Sequence, residues 1–355
     1  MTADPSSPSA SSLSVRLAAT RPGRLLVVVF SQVRVPEGKF GLERLFANTG
    51  HNCLFLNDCR SRWYLGQDAA IDAAVEEARA GTGASGLVYY GSSMGGYGAL
   101  AAGLRRGDGT VHAFGPELVL GRAGSQSARY GIAREIDGAL VSRLSRAAPA
   151  HPLHLYFGIL DPDDAAGAAA ALACLPRPNL AVHLLRSCHA SHDHLYSLNV
   201  VRKIITTFRR DPAVEIVARG LAAAADPAVL AAFARLAEAL ADGRAVDPGA
   251  VEALAAAAPD NPGPLRLLAE ALAARGDYAA AVAALEAAER LVASDPVLAT
   301  LPKRWRKEMP LRRAGWLIEL GRQEEAAAVL ADAVARFPAD PRFDALAARL
   351  GAAPG

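Results

Sequence analysis

Neither sign of charge dominates this chain. Lys plus Arg total 38 and Asp plus Glu total 36, a net of +2 over 355 residues. A binder that works by neutralising phosphates needs a basic excess, so no nucleic-acid partner is expected. Long apolar runs are missing too. LLVVVF at 25–30 is far short of the roughly 20 residues that span a bilayer, and the Ser- and Pro-rich start has no apolar core of a secretory leader. These absences point to a cytoplasmic protein with no membrane span. Cysteine is sparse: Cys53, Cys59, Cys174 and Cys188 form no CxxC pair or other metal-ligand spacing. They read as reduced, mostly buried thiols, and neither a cofactor nor a metal is expected. What the chain does have is apolar content, 52%, enough to bury a sizeable core over a length suited to two domains.

The composition shifts near residue 210. Residues 1–20 read as a flexible N-terminal segment. Over 21–210, short apolar runs alternate with helical patterns. Strands are expected at 25–30, 51–58, 86–91, 111–114, 153–158 and 181–187, with helices at 67–80, 94–106, 133–147, 163–174 and 193–209. Apolar runs of this length between helices indicate a mostly parallel sheet buried on both faces, an α/β architecture. Over 218–350 the strands disappear and helix formers carry apolar residues at i, i+3, i+4 and i+7. Leu268, Ala269 and Leu272 precede Gly276, and Tyr278, Ala281, Leu285 and Ala288 follow it. Ala314, Leu317, Gly321, Ala326, Leu330, Ala333 and Pro338 repeat the pattern. Small residues there let paired helices approach closely. The segment resembles the tetratricopeptide repeat, with an insertion between copies and a poorer copy around 231–259. Such an all-α repeat domain implies a surface for a protein partner. The insertion holds Lys303, Arg304, Arg306, Lys307, Arg312 and Arg313, read as a solvated helix face or as a dock for an acidic partner or anionic glycan.

The segment GLVYYGSSMGGYGAL is where chemistry enters. Gly91-Ser92-Ser93-Met94-Gly95 matches G-x-S-x-G, directly after an apolar strand and directly before a helix. A sharp strand-to-helix turn would hold the Ser93 hydroxyl clear of the sheet. The helix N-terminus would offer N–H groups to a developing oxyanion. In this context residues 24–209 resemble the α/β-hydrolase superfamily, whose chain order is nucleophile, acid, histidine.

The resemblance implies an acid after a later strand. Gly158-Ile159-Leu160-Asp161 makes Asp161 the first choice, with Asp163 and Asp164 in reserve on the same loop, Asp164 also being read as a helix cap. It implies a histidine between the last strand and the last helix, where His192 is favoured, then His194, then His189. The oxyanion donors would be the Met94 N–H and a second N–H after the early strand, Gln32, with Ser31 or Val33 as alternatives. The chain has Phe30-Ser31 where lipases and esterases of the family have His-Gly. After the strand at 51–58, Asp58, Trp63 and Tyr64 read either as a substrate platform for a sugar ring or as a loop anchored by buried aromatics. Residues 114–131, with Gly and Ser spaced through them, could form a short lid.

The expected function is a serine hydrolase acting on an acyl ester, such as an O-acyl group on a carbohydrate or surface glycan, through Ser93, His192 and Asp161 and an acyl-enzyme. Acyltransferase or thioesterase action uses the same triad. A non-catalytic scaffold is the alternative of a different class. A peptidase lacks visible deep substrate architecture, and dehalogenase chemistry fails because position 93 is not a carboxylate.

Overall fold

The computed structural model describes residues 12–20, 25–134 and 139–351. Seven strands form one sheet in the order β1-β3-β2-β4-β5-β6-β7. They are β1 Leu13–Ala18, β2 Leu26–Phe30, β3 Asn52–Asp58, β4 Leu87–Ser92, β5 Thr110–Phe114, β6 Leu153–Gly158 and β7 Leu180–Leu185. All neighbours pair parallel except β1, which runs antiparallel to β3. The central β2, LVVVF, is buried at every residue, because helices cover both faces.

One face carries α2 Asp68–Thr82, α3 Met94–Arg106, α5 Ala139–Arg146 and α6 Pro162–Leu172. The other carries α1 Glu43–Phe46, α7 Ser191–Ser197, α8 Val200–Ile205 and α9 Pro212–Val217. A four-residue helix, α4 Gln126–Arg129, lies between β5 and α5. This is an α/β-hydrolase-like sheet followed by a helical region.

The reading of 1–20 as a free segment is corrected in part: residues 13–18 are an edge strand, while 1–11 lie outside the described residues. Val15 and Leu17 are 46% and 40% exposed there, so this strand lacks the solid apolar run by which its neighbours are recognised. Of the helix expected at 133–147, residues 135–138 lie outside the described residues. The helix expected at 193–209 is two, α7 and α8, broken where Asn199 takes φ 62°.

The helical region comprises α10 Pro227–Ala241, α11 Pro248–Ala257, α12 Pro262–Ala274, α13 Tyr278–Ser294, α14 Lys303–Arg306, α15 Glu308–Glu319, α16 Gln323–Arg336 and α17 Pro341–Gly351. Three of these helices open alike: Asp226, Asp247 and Asn261 each accept a backbone N–H as N-cap, with proline next. Gly276 and Gly321 supply the left-handed turns at φ 81° and 72°. Ala281, Ala288, Ala326 and Ala333 are fully buried where helices meet.

The two parts share one apolar core. Leu230 and Phe233 of α10 belong to the same cluster as Ala165 and Ala168 of α6. Asn261 donates to the Ile159 carbonyl at 3.0 Å, and Arg186 pairs with Asp295. Most of the basic insertion is also consumed internally. Arg304 pairs with Asp193, Lys307 with Asp340, Arg312 with Glu270, and Arg313 with Glu286 and Glu289. Among the described residues no helix is long and apolar enough to cross a membrane.

Candidate active site

Ser93 joins β4 to α3 with φ 57° and ψ −122°, a conformation that L-residues rarely adopt. Its neighbours explain how the bend closes. A Cβ on Gly91 would sit 2.1 Å from the Gly95 carbonyl oxygen, and one on Gly95 would sit 2.3 Å from that of Phe30. Only hydrogen fits at either place. The Ser93 N–H donates to the Phe114 carbonyl at 2.7 Å, tying the elbow to β5.

The imidazole beside Ser93 belongs to His189. Its Nε2 lies 3.0 Å from Ser93 Oγ, and its Nδ1 lies 2.7 Å from Asp164 Oδ1. Asp164 Oδ2 accepts the Gly158 N–H at 2.7 Å, so both oxygens of this buried carboxylate are fixed. Two glycines make room for the group. A Cβ on Gly158 would meet the Cys188 carbonyl oxygen at 2.1 Å, and one on Gly115 would press on both His189 and Asp164 at 3.2 Å.

Two expected site residues therefore change place. His192 is already in α7, on the opposite face of the sheet, where its Nε2 meets Tyr90 Oη at 2.8 Å and its ring packs edge-on against Phe114. His194 is fully buried, with Nδ1 2.9 Å from Ser187 Oγ and Nε2 2.8 Å from Thr300 Oγ1. The histidine at the serine precedes the helix, on the loop leaving β7. Likewise Asp161, not Asp164, is the N-cap of α6, accepting the Asp163 N–H at 3.0 Å. Asp163 faces Arg122 at 3.9 Å. The sequence D-P-D-D held the signal: proline prefers the first helical position, which makes the residue before it the cap. Asp164 then falls one turn in and points back at the strand end.

Acidic groups crowd this imidazole. Burial opposes its charged form, but the contact with Asp164 and the fields of Asp161 and Glu117 outweigh it, and the His189 pKa is raised to about 10. Burial and Asp161 push Asp163 up to about 8, and burial also raises Asp161 and Glu117. Asp161, Asp164 and His189 bring one ligand atom each within 4.8 Å of one another. His189 Nδ1 and both Asp164 oxygens are engaged with each other and with the Gly158 N–H, and Asp161 Oδ1 accepts the Asp163 N–H.

Of the expected oxyanion donors, Met94 follows Ser93 and Gln32 follows the end of β2. Met94 opens α3, so its N–H has no carbonyl in a preceding helical turn. The Phe30 and Ser31 carbonyls abut Gly95, which brings the chain at Gln32 alongside.

Asp58, Trp63 and Tyr64 are a buried loop anchor and not a platform. Asp58 accepts the N–H groups of Arg62 at 2.7 Å and Tyr64 at 3.0 Å. Trp63 is 0% exposed, and Tyr64 Oη donates to the Ser31 carbonyl at 2.8 Å. No face of either ring is open to a sugar.

Sequence reasoning missed Gln126, whose Oε1 is hydrogen-bonded by Ser93 Oγ. It lies on α4, within the stretch expected as a lid, and only the folded chain brings it over the serine.

No family model and no curated protein sequence matches the chain. Solved structures of similar fold include the capsule O-acetyltransferase of Neisseria meningitidis serogroup A, at 15% identity over 54% of this chain and 90% of that one, TM-score 0.41. The glycosylation-associated Gap123 complex of Streptococcus agalactiae is 18% identical over 56% of this chain and 44% of that one, TM-score 0.46. The Pyrococcus furiosus esterase Pf2001 is 13% identical over 56% of this chain and 88% of that one, TM-score 0.41.

Proposed function

We propose that the protein is a serine enzyme that takes an acyl group from an ester, with Ser93 as nucleophile, His189 as general base and Asp164 as its orienting acid. The observation carrying this reading is the unbroken hydrogen-bonded series Ser93–His189–Asp164, set on a strained elbow whose flanking glycines admit no side chain. Neutral His189 accepts the Ser93 proton as Oγ bonds to the acyl carbon. Asp164 keeps the remaining proton on Nδ1 and stabilises the imidazolium that forms. The proton then goes to the departing alkoxide as the ester bond breaks. The Met94 and Gln32 N–H groups are proposed for the oxyanion, a task in which losing one donor typically lowers turnover about 10²–10³-fold. Water, or a hydroxyl acceptor in its place, then attacks the acyl carbon. Its proton passes through His189 to Ser93 Oγ as that bond breaks.

A fluorophosphonate probe tests the reading. Covalent labelling of the wild type that vanishes in Ser93→Ala, while a helical circular-dichroism spectrum is kept, is the expected result. Unlabelled, well-folded wild type from pH 6 to 10 would refute it. A panel of short-chain esters, O-acetylated sugars and acyl thioesters then finds the substrate class, and acetate release against acetylated acceptor separates hydrolysis from transfer.

A further inference from the structure

Ser93 has one proton and two neighbours that compete for it. The first is His189 Nε2 at 3.0 Å, and the second is Gln126 Oε1, an amide oxygen that only accepts. With the hydroxyl donating to Gln126, His189 meets the serine only by donating its own Nε2–H into an Oγ lone pair. In that arrangement the nucleophile's proton points away from the base that must remove it.

The contact belongs to a fixed scaffold. Ser125 caps α4, accepting the Ala128 N–H at 3.2 Å. The buried Glu117 carboxylate accepts the Ser127 N–H at 3.0 Å and its hydroxyl, and Ser127 Oγ accepts the Gly121 N–H at 2.7 Å. The helix that carries Gln126 is thus clamped at its first turn. Ser93 beneath it is only 9% exposed.

Building on the reading of Ser93 as nucleophile, we infer that Gln126 is a positioning residue that restrains this serine: it holds the hydroxyl proton off His189 until substrate displaces the amide. The opposite arrangement would present the amide N–H₂ to Oγ, leave the serine proton free for His189 and support the forming alkoxide. The two arrangements predict opposite signs for the same substitution. Around His189 stand Asp161, Asp163 and Asp164 from α6, Glu117 from the clamp, and the Cys188 thiol, which burial pushes up to about 12. Of these groups, the carboxylates of Asp164, Asp161 and Glu117 favour the doubly protonated ring that the restraint requires.

The test measures the second-order rate of fluorophosphonate labelling from pH 6 to 10 for full-length wild type, Gln126→Leu, Gln126→Ala and Gln126→Glu, with Ser93→Ala as control. Gln126→Leu keeps the bulk and removes the acceptor. It should label about fivefold faster near neutral pH, the worth of one net hydrogen bond, with its pH midpoint moved down. Gln126→Ala should do the same. Gln126→Glu keeps an acceptor and adds charge, so it should label more slowly than wild type, with the midpoint moved up. That opposed pair of effects is one that a merely structural role would not produce. Wild type that labels at Ser93 with no gain in either Gln126→Leu or Gln126→Ala overturns the restraint and leaves the nucleophile in place. Labelling of none of these proteins removes both.

Discussion

A histidine-to-glutamine change at position 189 should lower ester turnover about ten-thousand-fold, and Asp164→Asn by a similar factor, because the imidazole then loses either its existence or its tautomer. His192→Gln should leave the acyl step within a few-fold of wild type and lower stability, because it removes a partner of buried Tyr90. Turnover by the two histidine variants side by side checks this, and a greater loss in His192→Gln would reverse the assignment. Acylation should also rise with pH. His189 works as a base only when neutral, and its pKa is displaced upward from 6.5, so the midpoint of kcat/KM should lie above 6.5. A flat profile from pH 6 to 9 would contradict this. At this scale the strained turn at Ser93 was legible because it rests on a local motif, Gly91 to Gly95. The imidazole and carboxylate that join Ser93 were legible only to the loop. Choosing Asp164 over Asp161, and His189 over His192, depends on which carboxylate the helix start consumes and on how the chain crosses Gly158, and both are matters of packing.

Strands β4 to β7 carry a second set of ring contacts, away from the catalytic loop. His112 Nδ1 lies 2.8 Å from Tyr156 Oη, and His154 Nδ1 lies 3.2 Å from His183 Nε2. The Tyr156 and His183 rings stack 4.7 Å apart. Burial holds these imidazoles neutral: His112 lies well below 6.5, His154 is lowered, and His183 is lowered to about 4 although Asp211 pulls the last two upward. An unfolded chain would protonate them near 6.5, so the folded state gains from them above that pH and loses the gain as pH falls toward 4. His183 contributes a slope of about 1.4 kcal/mol per pH unit within that window, and the lowered His112 and His154 act in the same direction. The midpoint of urea unfolding should therefore drop between pH 6.5 and 4.5, and His183→Phe should flatten the drop; an unchanged slope would contradict the assignment. Element types and most strand bounds were readable from apolar runs punctuated by Gly, Pro and Asn. The edge strand β1 was not, because half of it faces solvent and its pattern is short.

For the whole molecule, the continuous core from α6 to α10 predicts one cooperative thermal transition reported alike by far-ultraviolet and tryptophan signals. Two separated transitions would argue against the shared core. Asn261 sits at this junction, giving Nδ2 to the Ile159 carbonyl and taking the Gly263 N–H on Oδ1 at 2.8 Å. Asn261→Ala should lower stability by about 1–3 kcal/mol. It should also reduce turnover, since Ile159 is two residues from the α6 cap. Stability unchanged within error would sink that reading. The loss of strands in the C-terminal part was visible as a change of composition near residue 210, but the bond from Asn261 was not, because no pattern in one stretch announces its partner in another. Its consequence reaches beyond packing. Whatever leans on the first turn of α12, be it a docked protein or a crowding neighbour, presses on the backbone that leads into the helix carrying Asp164. In this molecule one asparagine ties the helical array to the loop that leads into the Asp164 helix.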